Sequence, residues 1–137
     1  VSHPDVTNLA WAAGVIDGEG CITIGYRKNS GTHQLTIRVV SKDNRMCPKM
    51  HDIFGGSLWR DKQERLIWQV TGARAAEVAR LVYPYIVVKP EQIDIAIAFG
   101  NTIQPASQRL SKGSLREVRE PLYQRLKELH QYGTDPL

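Results

Sequence analysis

A chain of 137 residues with a net charge of +4, 42% hydrophobic and 23% charged residues has the length for one domain with a real core and the composition of an ordinary globule. No apolar run reaches the length of a membrane span and nothing near the N-terminus reads as a signal peptide, so a membrane partner is not expected. Cys21 and Cys47 lack CxxC spacing and the four histidines form no HxxxH or Cys/His cluster; this argues against a disulfide framework or zinc site and for an intracellular setting, cytoplasmic or organellar. The positive charge suits a polyanionic partner but is too common a property to identify one.

Residues 1–6 read as an arm, with Asp5 or Thr7 capping a helix over 8–17. Along this helix Ala10, Ala13, Gly14 and Asp17 recur at i, i+3, i+4 and i+7, so one face carries small side chains until a carboxylate ends it. A helix lying on its own core would bury more area with Leu or Ile there; a bare face suits close approach by a copy of itself. Gly18 and Gly20 are expected to supply the unusual dihedrals of a helix end, with Glu19 exposed between them. On its own a Gly-Glu-Gly turn reads as structural.

Residues 21–27 and 33–40 alternate in hydrophobicity and flank the turn chemistry of Lys28-Asn29-Ser30-Gly31-Thr32, which predicts a β-hairpin. Ile22, Ile24 and Tyr26 share one face of the first strand, opposite Thr23, Gly25 and Arg27; Leu35, Ile37 and Val39 oppose Gln34, Thr36 and Arg38 in the second. One face is therefore core and the other polar, with Arg but no acid. A short helix over 43–54 follows, with Asp43 as N-cap, Pro48 awkward inside it, and Met46, Met50, Ile53 and Phe54 apolar; Gly55-Gly56 ends it.

A second hairpin is expected over 57–61 and 66–71. With Leu66, Trp68 and Val70 inward, Arg65, Ile67, Gln69 and Thr71 face outward; the partner strand presents either Ser57, Trp59 and Asp61 or Leu58 and Arg60. Arg60 and Gln69 are expected on the exposed side. A helix over 73–81 then buries Ala75, Val78, Ala79 and Val82, and Tyr83-Pro84-Tyr85 closes it. Past the extended link Ile86-Val87-Val88-Lys89, Pro90 opens a helix to about 102 with Ile93, Ala96, Ile97 and Phe99 inward. A loop over 104–113 leads to a charged helix over 114–129 with Leu115, Val118, Leu122, Leu126 and Leu129 as its stripe. Its surroundings include Arg109, Lys112, Arg116 and Arg119, expected by default to be solvated.

The stretch Ala12-Ala13-Gly14-Val15-Ile16-Asp17-Gly18-Glu19-Gly20 resembles the signature of the LAGLIDADG homing endonucleases. Ala12 stands for the leading Leu and Glu19 for the second Asp, a change that keeps a hard oxygen ligand. Further family-like pieces follow in order: Gly55-Gly56-Ser57-Leu58, Trp68-Gln69-Val70-Thr71-Gly72, and Tyr83-Pro84-Tyr85-Ile86 leading to Lys89. The resemblance spans about 9–102. It implies an α+β fold of αββαββα order, with an antiparallel saddle-shaped sheet, helices on one face and an extra C-terminal helix. It implies one endonuclease domain over 1–137, its core at about 8–103.

A two-stranded ribbon fits the major groove, where Arg reads guanine and Gln reads adenine. Thr23, Arg27, Gln34, Thr36, Arg38 and Gln69 are candidate base contacts, Lys28 and Lys42 suit phosphates, and Arg60 is a further candidate DNA contact. Singly, each is as well explained by a solvated sheet; as a group they gain weight from the near absence of carboxylates. By resemblance, Glu19 with Gly18 holds a divalent ion, Mg²⁺ or Mn²⁺; Lys89 stands near the scissile phosphate; Ser41 positions solvent; Asp17 supports the helix end and an interface formed with Ala10, Ala13 and Gly14. A Lys between apolar residues and a proline also suits a side chain that merely snorkels to water.

A single motif implies pairing into a homodimer on a near-palindromic duplex DNA, with no small-molecule substrate. The implied activity is a metal-dependent double-strand break with short 3′ overhangs that promotes spread of an intron or intein, a mobile element. The alternatives are a cleavage-inactive DNA- or RNA-binding protein on the same scaffold, a maturase or transcriptional regulator, and a structural dimer module. Retention of Glu19 favours the nuclease, and salt-dependent DNA binding separates the first two readings from the third.

Overall fold

A computed structural model of the chain describes residues 4–103 and 111–132; the start of the expected arm and loop residues 104–110, Arg109 among them, lie outside the described residues. Helix α1 (Val6–Glu19) begins at Asp5, whose carboxylate accepts the Asn8 N–H at 2.7 Å. It leads directly into β1 (Gly20–Arg27), which turns back into β2 (Thr32–Ser41). Helix α2 (Met46–Phe54), strands β3 (Ser57–Arg60) and β4 (Leu66–Thr71), and helix α3 (Gly72–Val82) repeat that order. A 3-10 turn (Tyr83–Tyr85), helix α4 (Pro90–Gly100) and helix α5 (Lys112–Tyr132) complete it.

The four strands form one antiparallel sheet in the order β1-β2-β4-β3. Residues paired across adjacent strands share a face, so the register sorts every side chain. Ile22, Ile24, Leu35, Ile37, Val39, Trp68 and Val70 point to one side, where they are buried with Ala12, Ala13 and Ile16 of α1, Met50 of α2, Ala75 and Ala79 of α3, and Ile93 and Phe99 of α4. The α+β architecture and the αββαββα order expected from the motif and alternation are those observed, with helices covering one face.

Three local expectations change. Asp43 stands ahead of α2: its carboxylate accepts the N–H groups of Arg45 and Met46, and the helix proper starts at Met46. Pro48 therefore lies in the first turn, where its missing N–H would have no helical partner, and it costs nothing. The Arg45 guanidinium and N–H beside Asp43 hold its carboxyl down to about 2. Second, Gly18 and Gly20 have ordinary negative φ; α1 runs through Gly18 and ends at Glu19. Gly20 is required for space instead, since a Cβ there would lie 2.7 Å from the Ile16 carbonyl oxygen. Positive φ appears at Gly55 and Gly56, where α2 ends and a Cβ on Gly56 would meet the Gln69 carbonyl oxygen at 2.6 Å. Third, Val118 is exposed and Arg119 is buried, its Nε donating to Thr102 Oγ1 at 2.7 Å and its guanidinium 4.6 Å from the Phe99 ring centroid.

Helix α5 packs on the core side of the first hairpin. Leu126 is buried, and His33 of β2 is held between Tyr26 and Tyr123, with ring centroids 4.9 and 5.6 Å away. The His33 ring also meets the Glu120 carboxylate at 2.8 Å, and the Arg116 guanidinium covers Tyr26 at 5.1 Å. Among the described residues no helix is long and apolar enough to cross a membrane.

Candidate nucleic-acid interface and the end of the motif helix

The end of α1 is locked to a distant segment by a reciprocal pair of contacts. Asp17 accepts three backbone N–H groups, from Val87 at 2.8 Å, Val88 at 3.0 Å and Lys89 at 3.1 Å. Lys89 returns the contact: its Nζ donates to the carbonyls of Ile16 at 3.0 Å and Gly20 at 2.8 Å, the first of which also accepts the Gly20 N–H that closes the helix. An ammonium carries three N–H donors, so one is left over. Glu19 lies between these clamped positions, exposed, as the last residue of the helix.

The uncovered sheet face is built from alternate residues of four strands. Across β1 and β2 it carries Thr23 beside Thr36, Gly25 beside Gln34, Arg27 beside Thr32 and Cys21 beside Arg38; across β2 and β4, Thr36 beside Thr71 and Arg38 beside Gln69. Arg38 donates twice to the Gln69 amide oxygen, its Nε at 2.8 Å, and Arg27 donates to that of Gln34. Each arginine is thus oriented by a glutamine on the adjoining strand while both amide nitrogens stay free to donate. No carboxylate stands among these residues. Lys28, in the hairpin turn, and Lys42, beyond the end of β2, are exposed at its margins.

Thr23, Arg27, Gln34, Thr36, Arg38 and Gln69 therefore come together on one surface. Arg60 does not join them: it pairs with Leu66 on the opposite side of the edge strand β3, exposed, its guanidinium donating to the Glu64 carbonyl at 3.0 Å. Ser41 also pairs with Leu66 on the helix-facing side, and its Oγ accepts the Asp43 N–H at 3.0 Å in the turn to α2. On α1, Ala10 and Gly14 are exposed, Asp17 is half-buried, and Ala13 is fully buried in the core. Trp59, Ile67 and Val40 also occupy the open face, although reading for polar types passed over them. The outward parity of Val40 and Ile67 was legible in the alternation; that of Trp59 was not.

Mg²⁺ takes oxygen donors, one or two of them carboxylates, with water and phosphate completing the shell. Among the described residues no group of three or more His, Cys, Asp and Glu side chains gathers; the Glu19 carboxylate and the neighbouring Gly18 carbonyl are donors of the right kind, and one chain supplies one such carboxylate.

The profile of the LAGLIDADG endonuclease family matches residues 12–92. The chain belongs to the LAGLIDADG endonuclease family. Solved LAGLIDADG enzymes share the fold at low identity. The homing endonuclease I-CvuI, in complex with its target in the presence of calcium, superposes with a TM-score of 0.76 at 17% identity, covering 90% of this chain and 82% of that one. The archaeal intron-encoded I-Vdi141I, complexed with DNA, gives 0.71 at 13%, covering 89% and 83%. The group I intron-encoded I-CeuI, also complexed with DNA, gives 0.70 at 14%, covering 92% and 69%. No curated protein matches the chain.

Proposed function

We propose that this LAGLIDADG chain is a sequence-specific, divalent-metal-dependent DNA endonuclease that works inside the cell as a homodimer of single-domain subunits on a near-palindromic duplex. The observation that carries the reading is the position of Glu19: an exposed carboxylate on a doubly clamped helix end, one residue before the sheet whose open face carries Arg27, Arg38, Gln34 and Gln69. The family's solved members in complex with DNA support it.

One chain presents one Glu19, so two chains are needed to place a carboxylate near each strand's phosphate. The exposed Ala10 and Gly14 offer the surface for pairing: a Cβ on Gly14 or Gly18 would meet nothing within 4 Å inside the chain. Val87 and Val88, 80% and 65% exposed, lie beside this helix through the Asp17 hydrogen bonds and add apolar area to it. Ala13 serves from behind, its small side chain letting α1 sit close to its own core. A divalent ion held by Glu19 with the Gly18 carbonyl would polarise the scissile phosphate and activate water. Lys89 holds Glu19's backbone in place and turns its remaining N–H toward negative charge on the phosphate. Arg27, Arg38, Gln34 and Gln69 read base edges, Thr23 and Thr36 fill the floor between them, and Lys28 and Lys42 meet phosphates.

The test is incubation with a library of random duplex DNA and Mg²⁺ or Mn²⁺, sequencing the cut ends beside a Glu19→Gln control. Palindromic cut sites with short 3′ overhangs, absent from the control, are expected. Enriched binding without cuts under either metal would replace this reading with a cleavage-inactive regulator or maturase.

A further inference from the structure

One row of the open sheet face is apolar. Trp59 of β3 pairs with Ile67 of β4, and Ile67 with Val40 of β2, so three strands contribute one side chain each, about 5 Å apart per step. Ile67 is only 7% exposed, yet it stands apart from the core cluster that contains the other buried apolar residues, because it points away from it. Trp59 remains 39% exposed beside it. The row is bordered by the pair Arg38 and Gln69, and the Arg38 guanidinium lies 5.9 Å from the Trp59 ring centroid. It lies at the end of the sheet nearest Glu19, since Val40 follows Val39, the partner of Gly20.

An apolar row that shows its Trp59 ring to solvent within a face of Arg, Gln and Thr gains nothing from water. The major groove offers one apolar group on the base edges, the C5-methyl of thymine. We propose that Trp59, Ile67 and Val40 form a thymine-methyl-reading patch, with Trp59 as its specificity-determining residue and the adjacent Arg38 and Gln69 reading the neighbouring base pair. This rests on the reading of the open face as the DNA-contacting surface. The cationic border favours duplex DNA over an apolar protein segment as the occupant, and the Asp61 carboxylate beyond Trp59 is paired with Arg65 at 2.8 Å.

The experiment selects duplexes from a random library, then replaces each thymine of the recovered site singly by deoxyuridine and measures affinity by competition. At the contacted position the loss is expected to be about four-fold, and about fifteen-fold when both half-sites are replaced, the factor for one buried methyl per half-site. Trp59→Ser should abolish that discrimination while keeping the salt dependence of binding, and Trp59→Phe should retain part of it. A wild-type protein indifferent to every replacement, or a loss spread evenly over all thymines, would overturn the proposal and leave the endonuclease reading standing. So would a Trp59→Ser variant that loses thermal stability but keeps the preference, since the ring would then only shield Ile67. No salt-sensitive binding to any duplex would overturn both readings.

Discussion

Replacing Asp17 by alanine removes three hydrogen bonds at once, because its two carboxylate oxygens serve Val87, Val88 and Lys89 together. Bonds to a charged acceptor lie toward the upper part of the usual range, but those from Val87 and Val88 are exposed, so about 1 kcal/mol each and about 3 kcal/mol in total is the reasoned loss. With an unfolding entropy near 2.1 cal/mol/K per residue, a chain of this length should melt about 10 °C lower. Asparagine keeps one oxygen where Oδ1 accepts Val88 and Lys89 and loses only the Val87 bond; about 1 kcal/mol, or roughly 3–4 °C, is expected. Thermal unfolding followed by circular dichroism at one fixed protein concentration measures both, the concentration being held because dimerisation feeds into the midpoint. An alanine variant within about 0.5 kcal/mol of wild type, or one indistinguishable from asparagine, would refute the clamp. A functional readout accompanies it: DNA affinity should survive in both variants, since the sheet face is untouched, while cleavage falls as the helix end carrying Glu19 loosens.

Lys89→Met should slow cleavage more than it weakens DNA binding, and equal losses in single-turnover cleavage and competition binding would make Lys89 a plain phosphate contact. Gly14→Leu should disperse the proposed dimer to monomer by sedimentation with little change in the fold, since a Cβ there has open space; a variant still dimeric would remove α1 from the interface. Asp43→Asn tests a pH-linked cap. The folded carboxyl titrates at about 2, below its ordinary 3.8, so its contribution is fully present above about pH 4 and is lost as pH falls through 2. The melting difference between wild type and variant should accordingly vanish over that window, and a difference constant from pH 6 to 2 would assign the stability to something else.

What was legible beforehand follows from how far each signal reaches. The first hairpin declared both its faces because a strand's period of two leaves no ambiguity over eight to ten residues. Strand β3 could not, since all four of its residues are exposed and burial sets no phase; hence Arg60 falls on the side away from Gln69. On α1 the spacing of Ala10, Ala13, Gly14 and Asp17 describes an arc wider than the surface left free, and Ala13 turns into the core while Ala10 and Gly14 do not. Glu19 stood out by its place in a motif, and its exposure at the helix end agrees with the expected turn position. The bond between Asp17 and Lys89 was beyond reach because the two lie 72 positions apart and only the packed chain brings them together. Trp59 and Ile67 went unweighed for another reason: a search for polar side chains on a binding face does not look for what is apolar there.

The docking of α5 against His33 and Tyr26 bears on how the hairpin meets a partner. Those residues pair with each other one step from the turn that carries Lys28, so the tip of the ribbon is splinted rather than left to swing. A stiff finger entering a groove surrenders little conformational freedom on contact, and more of its interaction energy is left to separate one base sequence from another. If the open face binds DNA as proposed, the C-terminal helix, distant from the motif that marks the family, would contribute to selectivity from behind the hairpin.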